Sequence, residues 1–195
     1  MAKKIIFIHG RAIKPLEDDL RELWYDTIKA GLQRDFGDSD VELFNSMSKD
    51  FVYYGNISND FLHERNGEKI PDDIKSRRDA LATLKDYRRS EFRKSIYDGL
   101  EGKTALKEGL ADTFSGILSL TRLGTSLIEA VAPDMEHYWN KEAYFGSDVR
   151  YKLTQAIQSA FDDNDEIMLI SHSLGTVVSY DCLWKFSHYG EYRRD

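Results

Sequence analysis

The sequence predicts an α/β fold: a parallel sheet flanked by helices, with a helical insertion. Three observations predict it. Two short apolar runs, Ile5-Ile6-Phe7-Ile8 and Ile167-Met168-Leu169-Ile170, do not alternate with polar residues, which is the pattern of strands covered on both faces. Helix-periodic segments alternate with these runs, as parallel strands and their crossovers require. Each run also ends in a turn signal, His9-Gly10 after the first, where glycine permits a sharp turn, and Ser171-His172-Ser173-Leu174-Gly175 after the second.

Taken in order, residues 3–8 form the first strand, rich in β-branched side chains. Residues 18–36 form a helix, with Leu20, Leu23, Trp24, Ile28, Leu32 and Phe36 on one stripe. Gly37-Asp38-Ser39-Asp40 reads as the turn that closes it. Residues 41–45 or 51–54 supply the next strand. The second choice is preferred, with Gly55-Asn56 ending it. Residues 57–140 read as a helical insertion or lid within one domain spanning 1–195. In it, residues 72–100 make a long charged helix, Pro71 fitting its first turn, with Arg77, Arg78, Arg88, Arg89, Arg93 and Lys94 on a solvated face. Residues 114–132 make an amphipathic helix, packed on the core or covering a substrate pocket, and Pro133-Asp134 ends it. Residues 147–161 are helical, with Val149, Leu153, Ile157 and Phe161 on one side. Asp162-Asp163-Asn164-Asp165 is a polar turn. The strand 167–170 follows, then a helix over 177–186.

Composition bounds the function classes. A net charge of -7 gives no general attraction to nucleic acid or to an anionic membrane. The 114–132 stretch is interrupted by Arg122, Glu129 and two glycines, so no membrane span is expected. Cys182 is the single cysteine, which rules out an internal disulfide and fits a reducing compartment. Residues 5–8 are shorter than the roughly 7–15 apolar residues of a signal-peptide core. A cytoplasmic protein is expected. No His, Cys and acid cluster has metal-ligand spacing, and no phosphate-loop or dinucleotide motif is present, so neither a metal nor a cofactor is expected.

The chemistry sits in Ser171-His172-Ser173-Leu174-Gly175. A serine at the apex of a tight strand-to-helix turn projects clear of its neighbours. The positions two before and two after it are crowded and must be small, and here they are Ser171 and Gly175. Helix N-terminal N–H groups favour negative charge at that point. By ordinary residue usage the pattern arises by chance in roughly one chain of this length in five, so its weight comes from context. That context is the strand before, the helix after, and His9-Gly10 at the end of another strand of the same polarity.

Phe7-Ile8-His9-Gly10 and Ile170-Ser171-His172-Ser173-Leu174-Gly175-Thr176 resemble the α/β-hydrolase superfamily, in particular its serine esterases and lipase-like members. The resemblance covers roughly residues 3–56 and 147–186, the N-terminal portion of such a domain. It implies a nucleophile elbow with Ser173 as the nucleophile. Leu174 and Arg11 would supply the N–H groups of an oxyanion hole. His9, Gly10, Ser171, His172 and Gly175 would form the supporting turns. Ser171 departs from the commoner glycine.

The resemblance also implies an acid and then a histidine after the serine. The residues after Ser173 offer Asp181, Glu191 and Asp195, and one histidine, His188. Asp181 and His188 lie on or just beyond a helix that leads away from the serine. His63 and His137 read as surface or packing residues of the insertion. Acid and base are therefore missing, and the fold is expected to be incomplete. The expected function is a carboxylic ester hydrolase working on a small-molecule acyl substrate through an acyl-enzyme on Ser173, with weak or absent activity in this chain. The alternative is a non-catalytic α/β-hydrolase-like interaction module. An uncovered sheet edge beside the Ser173 strand predicts a homo-oligomer or a partner there. Tyr138, Trp139, Tyr144 and Phe145 line an acyl pocket or pack in the core.

Overall fold

A computed structural model describes residues 2–67, 75, 78, 79, 81, 82, 133–140 and 144–189. Its elements in chain order are β1 (Lys3–Ile8), α1 (Glu17–Asp35), α2 (Asp38–Ser46), β2 (Ser48–Val52), α3 (Gly55–Asn66), α4 (Pro133–Trp139), α5 (Phe145–Asp162), β3 (Glu166–Ser171) and α6 (Leu174–His188). Contacts divide the chain into two compact units, residues 1–13, 47–69 and 132–195 in one and residues 14–46 and 70–131 in the other.

The first unit is mixed α/β. Its three strands run parallel in the order β2-β1-β3, and Ile8 pairs with Val52 on one side and Ser171 on the other. The C-terminal ends of the strands are therefore level. Central β1 is buried from Lys4 to Ile8, which is why it is written in apolar residues without alternation. Ile6 and Ile8 face a core completed by Val52, Tyr54, Tyr138 of α4, Val149, Leu153, Ile157 and Ala160 of α5, and Leu174, Val178 and Cys182 of α6. Ile167 and Leu169 of β3 pack against it. The α5 positions recur every three or four residues, so one stripe of the helix does all the burying.

Polar groups join the helices of that layer. The Tyr138 hydroxyl donates to Asp181 Oδ2 at 2.7 Å, and the Arg150 guanidinium lies 3.9 Å from the same carboxylate. Burial, then the hydrogen bond to Asp181, pushes the Tyr138 phenol above its ordinary value. Burial likewise pushes the Cys182 thiol up. At the other end of the sheet, nearly buried Lys4 reaches Asp50 at 3.2 Å and Asp163 at 4.0 Å.

In the second unit, α1 opens with Glu17, Asp18 and Asp19 at its positive end. It ends where Gly37 (φ 105) turns its N–H back to the Leu32 carbonyl at 3.0 Å. Leu20 is buried, and Tyr25 meets buried Phe44 of α2 edge-on at 6.0 Å. Of the expected charged helix over 72–100, residues 75, 78, 79, 81 and 82 are described, and all are helical. Exposed Arg78 pairs with Glu22 at 2.9 Å, the behaviour of a solvated face.

Several expectations are corrected. Asp38-Ser39-Asp40 opens α2 instead of forming a turn, because Asp and Ser suit a helix first turn as well as a loop. The preferred second strand lies three residues earlier at its start, and Tyr53-Tyr54 fall beyond its ladder because β1 ends at Ile8. Gly55-Asn56 begins α3, and Pro133 begins α4. Phe36 is 70% exposed, and Phe161 leaves the core stripe, where Ala160 takes its place. Phe161 instead meets Phe186 edge-on. The 114–132 helix lies outside the described residues. Among those residues no helix is long and apolar enough to cross a membrane, and no strand pairs with the outer edge of β3.

Candidate active site

The sequence Ser171 to Gly175 turns the chain from β3 into α6 within two residues. His172 N–H donates to the Ile8 carbonyl at 3.2 Å, so the β1–β3 ladder continues to the turn itself. Ser173 then adopts φ 53 and ψ −125 as the residue capping α6. That pair belongs to the second residue of a type II′ turn, a place glycine normally holds. A serine there is strained at a cost on the order of 1–3 kcal/mol. The turn is locked on both sides. Gly175 N–H donates to the His172 carbonyl at 2.9 Å, and both the N–H and the hydroxyl of Thr176 donate to the Ser173 carbonyl, at 2.8 and 2.6 Å. Leu174 drives its side chain into the core. Ser171 and buried Ser179 share a hydrogen bond of 2.7 Å between their hydroxyls, tying the end of β3 to the second turn of α6.

The result is an exposed Ser173 hydroxyl at the N-terminus of a 15-residue helix. The Leu174 N–H makes no hydrogen bond to the described residues, as the first turn of a helix leaves its donors open.

The β1 loop comes against this turn so closely that both motif glycines are required. A Cβ on Gly10 would stand 2.6 Å from Ser173 Cβ and 2.8 Å from His172 Nδ1. A Cβ on Gly175 would stand 2.6 Å from the His9 carbonyl oxygen and 2.8 Å from that of Ile8. His9, fully buried, organises the loop. Its Nε2 accepts from the Tyr54 N–H at 3.0 Å, and its Nδ1 bonds the Gly10 carbonyl at 2.8 Å. Since Nε2 accepts, the ring's proton sits on Nδ1 and the imidazole is neutral; the assignment follows from the hydrogen-bond network. The peptide between Gly10 and Arg11 is trans, so with its oxygen turned to His9 its N–H points the other way. Arg11 is half-buried, and Ala12 next to it holds φ 69.

The turn from Ser171 to Gly175 thus meets His9 and Gly10 at one edge of the sheet, with Arg11 next in the chain. Sequence reasoning missed Tyr54 and Ser179. A polar aromatic two residues past a parallel strand was the available signal for Tyr54; Ser179 carried none.

The other described histidines are placed elsewhere. His188 ends α6, about 22 Å along the axis from Ser173. Its ring stacks on Trp184 at 4.4 Å, and its Nδ1 bonds Ser187 and the Trp184 carbonyl. Asp181 is engaged by Tyr138 and Arg150. His137 lies flat on Phe61 at 3.9 Å and near Phe145, which is packing. His63 is exposed on α3. No described histidine hydrogen-bonds the Ser173 hydroxyl. Of the four aromatics near α5, Tyr138 and Phe145 are core, while Trp139 and Tyr144 are 50% and 81% exposed. Among the described residues no three His, Cys, Asp or Glu side chains form a metal-binding group. A depression of about 360 Å³ in the second unit is lined, among the described residues, by Asp26, Lys29, Ala30, Gln33, Arg34 and Val41, with no serine, cysteine or histidine among them.

Compared with family models, with curated proteins and with solved structures, the chain matches none.

Proposed function

We propose that the protein is a serine hydrolase of the α/β-hydrolase type, acting on a carboxylic ester through an acyl-enzyme on Ser173. The observation that carries this reading is the Ser173 backbone at φ 53, ψ −125, a strained conformation at a strand-to-helix apex. Strain of this kind persists where surrounding structure over-determines it, and here two glycines, a hydroxyl pair and the Thr176 bonds do so.

In the proposed reaction Ser173 Oγ attacks the acyl carbon and its proton passes to a general base. The carbonyl oxygen becomes an oxyanion facing the Leu174 and Arg11 N–H groups. The C–O bond to the leaving alcohol breaks as the alcohol takes the proton, and water then hydrolyses the acyl-serine. Neutral His9, with both nitrogens engaged, supports the loop and takes no part in proton transfer. Hydrolysis of p-nitrophenyl esters of graded chain length tests the reading. Ser173→Ala should lower the rate at least 100-fold, the scale of losing a nucleophile. Equal rates in wild type and variant would sink it.

A second reading, a non-catalytic interaction module, is favoured because no described histidine hydrogen-bonds the Ser173 hydroxyl, with His137 and His188 packed elsewhere. For either reading we infer that the outer edge of β3 receives another strand. Its Ile167-Met168-Leu169-Ile170 carries no charge, whereas β2 places Lys49 and Asp50 on the opposite edge. Light scattering should report a dimer at high concentration, and a monomer throughout would argue against pairing between copies.

A further inference from the structure

We propose that Tyr54 is a positioning residue for the Ser173 site, holding His9 so that the Gly10–Arg11 peptide presents its N–H to a developing anion. This rests on the hydrolase reading above. Tyr54 lies two residues past the end of β2, beyond the ladder, so its N–H has no strand partner to donate to. It donates instead to His9 Nε2 at 3.0 Å. Its hydroxyl returns to the His9 carbonyl at 2.9 Å, and its ring stacks on the imidazole at 3.9 Å and 22°. Both residues are fully buried. One side chain therefore grips one imidazole by its ring face, and one residue closes both its Nε2 and its carbonyl.

Each contact has a consequence at the loop. Donation to Nε2 forces the ring proton onto Nδ1. The Nδ1–H then fixes the Gly10 carbonyl. Planarity of the peptide fixes the Arg11 N–H in the opposite sense. The hydroxyl holds the preceding carbonyl, that of His9, against Gly175 of the elbow. Two consecutive peptides of the loop are thus set by one tyrosine, and Gly10 between them touches Ser173. Packing alone asks for none of this, since phenylalanine fills the same volume and keeps the stack. The hydroxyl is the separable part.

The test uses the full chain, wild type and Tyr54→Phe, at a temperature where both are folded. Ring nitrogens of His9 and the Arg11 amide are followed by NMR, and Ser173 is labelled with a fluorophosphonate. The expected wild-type ring is neutral with Nδ1–H. In Tyr54→Phe the Arg11 amide resonance should move and labelling should slow at least tenfold. A purely structural role would lower the melting temperature and leave labelling of the folded protein unchanged, and that result overturns the proposal. A ring proton on Nε2 overturns it too. If folded wild type does not label, the hydrolase reading falls, and the Arg11 amide decides the loop: unmoved in Tyr54→Phe it refutes control by Tyr54, and moved it upholds that control.

Discussion

At the scale of single residues, Ser173 holds a conformation that a glycine would hold without strain. Ser173→Gly should therefore be more stable than Ser173→Ala by about 1 kcal/mol in urea unfolding, although neither has a hydroxyl to react. Equal stability would mean that the turn is not strained in solution. The glycines make the complementary prediction. Gly10→Ala and Gly175→Ala put a methyl under 3.0 Å from Ser173 or from carbonyl oxygens, and each should cost about 1–3 kcal/mol. Gly31→Ala, in open space on α1, should gain about 0.5–1 kcal/mol from helix propensity. If all three shifted stability alike, the close approach of the two loops would be refuted. The spacing of Ser171, Ser173 and Gly175 made the apex legible, because the sterics of a tight turn act within five residues. The grip of Tyr54 on His9 was not legible, since it spans 45 positions and depends on where β2 stops.

At the scale of elements, α5 and α6 hold the elbow against the sheet. Leu153→Ala, at a fully buried α5 position, should cost about 2–5 kcal/mol and release the strand ends along with the core. The α4–α6 junction predicts a pH dependence. The folded chain keeps the Tyr138 and Cys182 protons above their ordinary values of 10.0 and 9.0. The unfolded chain releases them at those values, so stability is full below about pH 9 and falls as pH rises beyond it. Melting temperatures from pH 7 to 11 should decline less steeply in Tyr138→Phe and Cys182→Ala; unchanged slopes would contradict the assignment. Strands β1 and β3 were legible as unbroken apolar runs, and helices α1 and α5 by their strong helical periodicity. Helix α2 and the start of β2 were not. Asp and Ser serve turns and helix starts equally, and the Lys49–Asp50 pair disguises an edge strand whose Asp50 reaches Lys4 diagonally across the ladder.

At the scale of the whole molecule, a parallel sheet in the order β2-β1-β3 puts the ends of β1 and β3 side by side, although they are separated by more than 160 residues. The turns after them meet for that reason. Composition and pattern carried the fold class because alternating elements and unbroken apolar strands are global properties. They could not carry the proton acceptor, whose position depends on tertiary approach. The central proposal is that Ser173 is a reactive nucleophile held by this junction. Incubation of the folded chain with a fluorophosphonate, followed by peptide mass spectrometry, tests it most directly. One adduct is expected, on Ser173, absent from Ser173→Ala and slowed in Gly10→Ala. A folded wild-type chain that carries no adduct on Ser173 would contradict it.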